Sequence, residues 1–297
     1  MGAETLAALV TDRAGTYIDG TVGDGGHARL ILEATAPAGR LIGFDRDATA
    51  LATARVRLAP YGERVTLIQD DFAHLAVHWE ARGREPFAGV LLDLGLRSSA
   101  LDDAGRGFSY RAAGPLDMRF DPRRGETAAE FLARVSESEL IALLETGTTR
   151  ASPRRIARGI LAWRRSHSLQ STHDLVACLR ATCRRRADAK LLGSVFATLR
   201  MAVNDELGAL DRALAAIPAL LRRGGVLCVI AYQSQEDRRV KLLARAEQTD
   251  PTTGEAIDLE PLWRRPLRPD PQECRRNPRA RSARLRALRR RPNLPLS

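Results

Sequence analysis

Two periods of apolar and polar residues alternate along the first hundred positions. Thr16–Asp19 is a short apolar run suited to a strand, and a glycine-rich turn follows at Gly20–Gly26. His27–Thr35 then carries Leu30, Ile31 and Ala34 on one side, the spacing of a helix that buries one face. Arg40–Phe44 reads as a second strand ending at Asp45, Ala48–Leu58 as a helix, and Val65–Ile68 as a third strand ending at Asp70–Asp71. Gly89–Leu92 is a fourth strand ending at Asp93. Strands and helices alternating at this spacing predict an α/β fold with a mostly parallel sheet and crossover helices.

The pattern changes over residues 103–200, where strand signals are scarce and helix starts recur. Thr127-x-x-Glu130 and Ser136-x-x-Glu139 are capping-box patterns, and Ser152-Pro153 pairs an N-cap with a proline at the first helical position. Arg154–Arg165 has Ile156, Ile160 and Trp163 on one face, and Thr172–Arg184 reads as another helix. The earlier pattern then resumes. Val203–Arg222 is amphipathic through Leu207, Leu210, Leu214, Ile217 and Leu221; Val226–Tyr232 is a buried strand and Glu236–Glu247 a helix. The expected organisation is one α/β domain from 1–102 and 201–263, interrupted by a helical substrate-recognition insertion at 103–200 and followed by a tail at 264–297.

Charge changes the picture of that tail. Residues 264–297 hold twelve Arg against Asp270 and Glu273, so almost all of the net charge of +11 resides there. Such a block reads as a nucleic-acid-binding arm, with Leu285 and Leu288 suggesting a short helix within it. The chain of 297 residues is 44% hydrophobic, enough for a core, and no apolar run approaches the roughly 18–20 residues of a membrane span. Its start carries acids early and no long apolar stretch, unlike a secretory signal, so a cytoplasmic protein is expected. The four cysteines form no C-x-x-C pair and the five histidines no zinc-protease pattern, so no metal is expected.

The first chemical constellation is Asp19-Gly20-Thr21-Val22-Gly23-Asp24-Gly25-Gly26-His27. Glycines between a first strand and a helix let a ligand approach the backbone at the helix N-terminus. Asp45, at the end of the second strand, is placed to accept from ribose hydroxyls. A nicotinamide dinucleotide and S-adenosylmethionine both satisfy this logic, and Gly23-x-Gly25-x-x-Ala28 fits the loose dinucleotide pattern. Asp19 and Asp24 favour the second. A pyrophosphate would face two carboxylates, whereas S-adenosylmethionine brings a sulfonium and an ammonium. Asp70–Asp71 and Asp93 extend the acidic rim, with Asp24 and Asp47 expected merely to cap turns or helices.

The second constellation is LDLGLRSSALDDAGRGFSYRAAGPLDMRFD at 92–121, with RNPRARSARLRAL at 276–288. These stretches closely resemble the RsmH (MraW) family of small-subunit ribosomal RNA methyltransferases. YIDGTVGDGGH at 17–27, GFDRD at 43–47, RRIARGI at 154–160, LRMAVNDELGAL at 199–210 and YQSQEDRRVK at 232–241 follow in the family's order. The resemblance implies a class I methyltransferase fold with an inserted helical domain. It also implies S-adenosylmethionine as cofactor, with contacts at Gly25, Gly26, His27, Asp45, Phe72 and Asp93, and N4-methylation of a cytosine in the decoding region. Several positions depart from the family. Ala100 replaces a Gln seven residues after Asp93, and RSSA stands where the family has an SSPQ-like sequence. Gln233 replaces the His of an F-H-S-L-E-D segment. DAKLLGSVFATLR lacks a His-Pro-Ala-Thr-Arg lead-in, and an opening His-x-Pro-Val segment has no counterpart.

Cytosine N4 is a poor nucleophile because its lone pair is delocalised into the ring, so the reaction needs in-line placement and an acceptor for the amine protons. Asp93, Asp102 and Asp117 are the foremost candidate acceptors, with Asp103 beside them; Asp117 is alternatively paired with Arg119 or Arg111. Arg106, Arg111 and Arg119 are candidates for phosphates near the target, and Arg276, Arg279, Arg281 and Arg284 for the RNA backbone further away. The expected partner is small-subunit ribosomal RNA, within an assembled or assembling subunit; the oligomeric state, monomer or homodimer, stays open. The alternatives are a catalytically weakened relative that binds ribosomal RNA as a factor and, far behind, a nicotinamide-dependent oxidoreductase.

Overall fold

A computed structural model describes residues 1–148, 151–184, 187–250 and 253–292. The chain forms two compact units, Met1–Gly95 with Gly208–Ser297, and Leu96–Leu207. The second unit thus begins at Leu96 rather than 103 and ends at Leu207 rather than 200.

The first unit opens with a helix that the sequence pattern did not reveal, α1 (Gly2–Leu9). β1 (Thr16–Asp19), α2 (Gly26–Ala34), β2 (Arg40–Asp45), α3 (Ala48–Leu58), β3 (Val65–Gln69), α4 (Leu75–Ala81) and β4 (Phe87–Asp93) follow. In the second unit, α5 (Ser98–Asp102), α6 (Ala128–Arg134), α7 (Glu137–Gly147), α8 (Pro153–Trp163), α9 (Thr172–Cys183) and α10 (Ala189–Val203) enclose their own core. Leu132, Leu140, Leu144, Ile156, Ile160, Leu175 and Leu199 are fully buried in it. The chain then runs through α11 (Glu206–Leu220), β5 (Leu221–Ala231), α12 (Ser234–Leu243), the short strands β6 (Gln248–Thr249), β7 (Ala256–Ile257) and β8 (Leu259–Pro261), α13 (Pro271–Arg276) and β9 (Arg284–Arg290).

The seven-stranded sheet has the order β3-β2-β1-β4-β5-β9-β8. The first five strands are parallel, and β9 runs antiparallel between β5 and β8. This is the class I methyltransferase arrangement. β1 leads to β2 on one side while β4 pairs with it on the other, so the strand order reverses there. In open α/β sheets such a switch point forms a crevice at the strands' carboxyl ends.

The tail corrects the expectation of a basic arm with a short helix. Arg284–Arg290 is a strand inside the sheet, and Leu285 and Leu288 are fully buried on opposite faces. Leu285 and Ala287 join one apolar layer and Leu288 the other. Arg284 and Arg286 both pair with Asp237, which offsets part of the tail's charge within the fold. Among the described residues no helix is long and apolar enough to cross a membrane.

The capping boxes form as their spacing requires. Thr127 and Ser136 each accept from the backbone N–H three residues on, and Glu130 and Glu139 accept in return. Ser136→Ala should cost about 1 kcal/mol by chemical denaturation. A loss below a few tenths would show that α7 is held by its buried leucines alone.

Candidate active site

The crevice at the switch point is built from the ends of β1, β2 and β4. Asp19, Asp45 and Asp93 are the last residues of those strands, so the parallel register carries three carboxylates to one edge of the sheet. The loop after β1 is stitched to both neighbours. Gly20 N–H donates to Leu91 O at 2.8 Å and Val22 N–H to Phe44 O at 2.8 Å. The Asp93 N–H donates to Thr21 Oγ1 at 2.6 Å.

Asp45 accepts from the Gly23 N–H at 2.9 Å and, through its other oxygen, from the Asp47 N–H at 2.8 Å. It therefore fixes the glycine loop against β2. Asp47 caps α3 through Thr49 N–H, the role expected for it. Gly25 is the N-cap of α2 with φ +82°, a left-handed conformation that glycine adopts without strain. A Cβ on Gly26 would meet nothing within 4 Å, so a ligand has room over the first turn of α2, where backbone N–H groups lack intrahelical partners.

Asp19 is the most deeply buried of the three acids, at 1% exposure. Its Oδ1 accepts from Thr21 N–H at 3.1 Å, while its Oδ2 has no hydrogen-bond partner among the described residues. Burial pushes its carboxyl up to about 7, helped by the charges of Asp93 and Asp45 and opposed by the Thr21 N–H. A buried carboxylate oxygen without a donor is costly, and a cationic ligand would satisfy it.

Asp93 is more open, with about a quarter of its side chain (26%) exposed. Its Oδ2 lies 3.4 Å from His27 Nδ1, and its Oδ1 accepts from the Tyr232 hydroxyl at 3.2 Å. Burial raises its carboxyl above the ordinary range, while His27 and Tyr232 pull it back. Tyr232 was missed in the sequence because it lies far from Asp93 along the chain and one residue beyond β5. The parallel β4–β5 pairing, which sets Asp93 opposite Ile230, brings them together.

Phe72 opens a short 3₁₀ turn after β3, half-buried against the apolar layer. A Cβ on Gly20 would lie 3.1 Å from its Cβ, so Phe72 adjoins the loop after β1. Asp70 and Asp71 do not rim an open crevice as read from the sequence. Asp70 binds His74 and His78, both at 2.9 Å, and Asp71 caps the turn through Ala73 N–H while pairing with Arg46.

In the second unit, Asp102 is exposed at the end of α5, and Asp103 caps the next turn through Gly105 N–H. Asp117 and Arg119 hold each other bidentately, at 2.8 Å for both bonds. That pair takes up a candidate acceptor and a candidate phosphate ligand at once. Arg106 donates to Arg119 O and Phe120 O, bracing the loop. Asn204 is buried and accepts from Phe120 N–H while donating to Met118 O, so LRMAVNDE and GPLDMRFD stabilise one another. Arg111 is exposed and lies over the Tyr110 ring. Of the departures from the family, Ala100 is buried in the core of this unit, while Gln233, in the first unit, is the N-cap of α12. In the first unit Arg276, Arg279 and Arg281 are exposed on α13 and the turn after it.

The model of the MraW methylase family matches residues 1–291. The chain belongs to that family. A ribosomal RNA small subunit methyltransferase H from Sorangium cellulosum is 44% identical over 98% of this chain and 89% of its own length. One of the same name from Geotalea uraniireducens is 42% identical over 97% and 96%. An rRNA methylase structure from Streptococcus thermophilus covers 98% of this chain and 94% of its own at 13% identity, with a TM-score of 0.44. The chain is thus a methyltransferase with S-adenosylmethionine as cofactor, and the dinucleotide reading of the glycine loop falls away. The residues fit that cofactor: three carboxylates, one with an orphaned oxygen, suit a sulfonium and an ammonium and repel a pyrophosphate.

Proposed function

We propose that this protein N4-methylates a cytosine in the decoding region of small-subunit ribosomal RNA. Similarity over nearly the whole chain to enzymes named for small-subunit ribosomal RNA methylation carries the reading. The carboxylate-lined switch point supports it. When bound, S-adenosylmethionine supplies an electrophilic methyl group. The chain's residues bind and orient around it. Gly25, Gly26 and His27 would offer it the start of α2, Asp45 would accept from its ribose, Phe72 would pack on its adenine, and Asp19 and Asp93 would meet its positive charge.

Asp93 is the foremost acceptor for the amine protons, because it is partly open and held at a strand end. Asp102, exposed on α5, is the second candidate; Asp117 ranks behind both because Arg119 occupies its two oxygens. A stacked base cannot present N4, so the cytosine must be unpaired or flipped. Arg276, Arg279 and Arg281 are suited to backbone phosphates, and their neutralisation should reduce the salt dependence of RNA binding.

The test incubates the protein and labelled cofactor with small subunits lacking the modification, then digests the RNA and identifies the methylated nucleoside. Label in N4-methylcytidine is expected. Label in another nucleoside, or none while a related enzyme labels the same subunits, would overturn the assignment.

A further inference from the structure

The family resemblance gives no role to Tyr232, which stands where the F-H-S-L-E-D segment has Phe. Its hydroxyl donates to Asp93 Oδ1 at 3.2 Å. We propose that Tyr232 is a positioning residue of the methyl-transfer site, which together with His27 fixes the Asp93 carboxylate against an incoming N–H or cationic group. The inference rests on the reading of Asp93 as part of the cofactor and target-amine site.

Three features carry it. First, the Tyr232 backbone is anchored. Its N–H and that of Gln233 both donate to Glu236 Oε2 at 2.9 Å, and Glu236 is itself buried, at 2% exposure. The backbone that carries the ring is thus fixed at the end of β5. Second, the ring lies against backbone. Gly95, with φ +108°, follows β4, and a Cβ there would come within 3.5 Å of Tyr232 Cδ2. Third, the two side chains divide the carboxylate between them, the Tyr232 hydroxyl donating to Oδ1 and His27 Nδ1 lying 3.4 Å from Oδ2, while the Asp93 N–H is tied to Thr21. Both carboxylate oxygens are thereby oriented, and each keeps a lone pair for a further donor.

The hydroxyl is the donor, because burial and the Asp93 charge push the phenol far above its ordinary range. Donation to the ionised carboxylate opposes the burial that raises Asp93. The other charged groups acting on Asp93 are the Met1 ammonium and Glu273, which pair with each other, and the buried Asp19. None of them takes over the hydrogen bond to Oδ1. Loss of that bond should let Asp93 take up a proton at higher pH.

Tyr232→Phe removes the hydroxyl and keeps the ring. In ligand-free protein labelled at the Asp carboxyl carbon, with Asp93→Asn assigning the resonance, the Asp93 titration midpoint should rise by about one pH unit. The acid limb of S-adenosylhomocysteine affinity should move up with it. Affinity at the wild-type midpoint should fall severalfold, and thermal unfolding should hardly move. In an Asp93→Asn background the same substitution should cost no further affinity. An unchanged midpoint, or an equal loss of affinity in both backgrounds, would overturn the proposal. Failure of the wild-type protein to bind S-adenosylhomocysteine would overturn the cofactor-site reading and with it the catalytic meaning of the pair. The titration, which needs no ligand, would still decide whether Tyr232 acts on Asp93.

Discussion

Asp93→Asn should lower the rate of methyl transfer by about 10²–10³-fold at saturating RNA and cofactor, the range expected when a positioned proton acceptor is removed. Asn is nearly isosteric, so β4 and its pairing with β1 and β5 remain. The amide, however, presents a donor or a weakly basic carbonyl where the amine protons need an anion. RNA affinity should change little, because the substitution removes no cation that could hold a phosphate. The pH dependence gives a second signature. Asp93 accepts only when ionised, and burial raises its carboxyl, so the wild-type rate should fall with acidification starting above the ordinary carboxylate range. The Asn variant should lose that limb. Single-turnover methylation across pH measures both effects. A rate within threefold of wild type would move the acceptor role to Asp102.

The α/β order, the glycine loop and the acids at the strand ends were legible in the sequence because each is a local signal. Strand period, helix period and turn residues all lie within a window of ten residues. β9 was misread for the same reason. Arg284-Leu285-Arg286-Ala287-Leu288 has the alternation of a strand, but its arginines suggested solvent and RNA until Asp237, far away in the chain, was found to receive two of them. The Asp117–Arg119 pair could be anticipated as an alternative, being two residues apart. The Tyr232–Asp93 contact could not, because it depends on which strands are neighbours in the sheet. The roles of Asp70 and Asp71 were overestimated because a strand-end position says where a carboxylate starts and not which side chain claims it. His74 and His78 lie on the following turn and helix at spacings that reach back to Asp70.

Asp19 is raised by burial as Asp93 is, but lies deeper, and its substitution should separate stability from binding. Its carboxyl sits at about 7 in the folded protein, against roughly 4 in an unfolded chain. Below about pH 4 both states hold the proton. Between about 4 and 7 the unfolded chain releases a proton that the folded chain retains, so stability falls as pH rises through that window and levels off above it. Three units correspond to at most about 4 kcal/mol lost by pH 8. Asp19→Asn removes this burden but leaves amide donors short of partners, at a cost of about 1–3 kcal/mol. The variant should therefore be more stable than wild type by about 2 kcal/mol at pH 8.5, a rise of roughly 4 °C in Tm, and the gain should vanish near pH 5. Its affinity for S-adenosylhomocysteine at pH 8 should fall by about 10–100-fold, since the ligand's ammonium loses an anionic partner that the fold holds ready. Melting curves at the two pH values, with and without S-adenosylhomocysteine, read all of this together. Equal destabilisation at both pH values would show that Asp19 is held as an ordinary hydrogen-bonded carboxyl. Greater stability with undiminished ligand affinity would mean that the orphaned oxygen strains the fold without serving the cofactor.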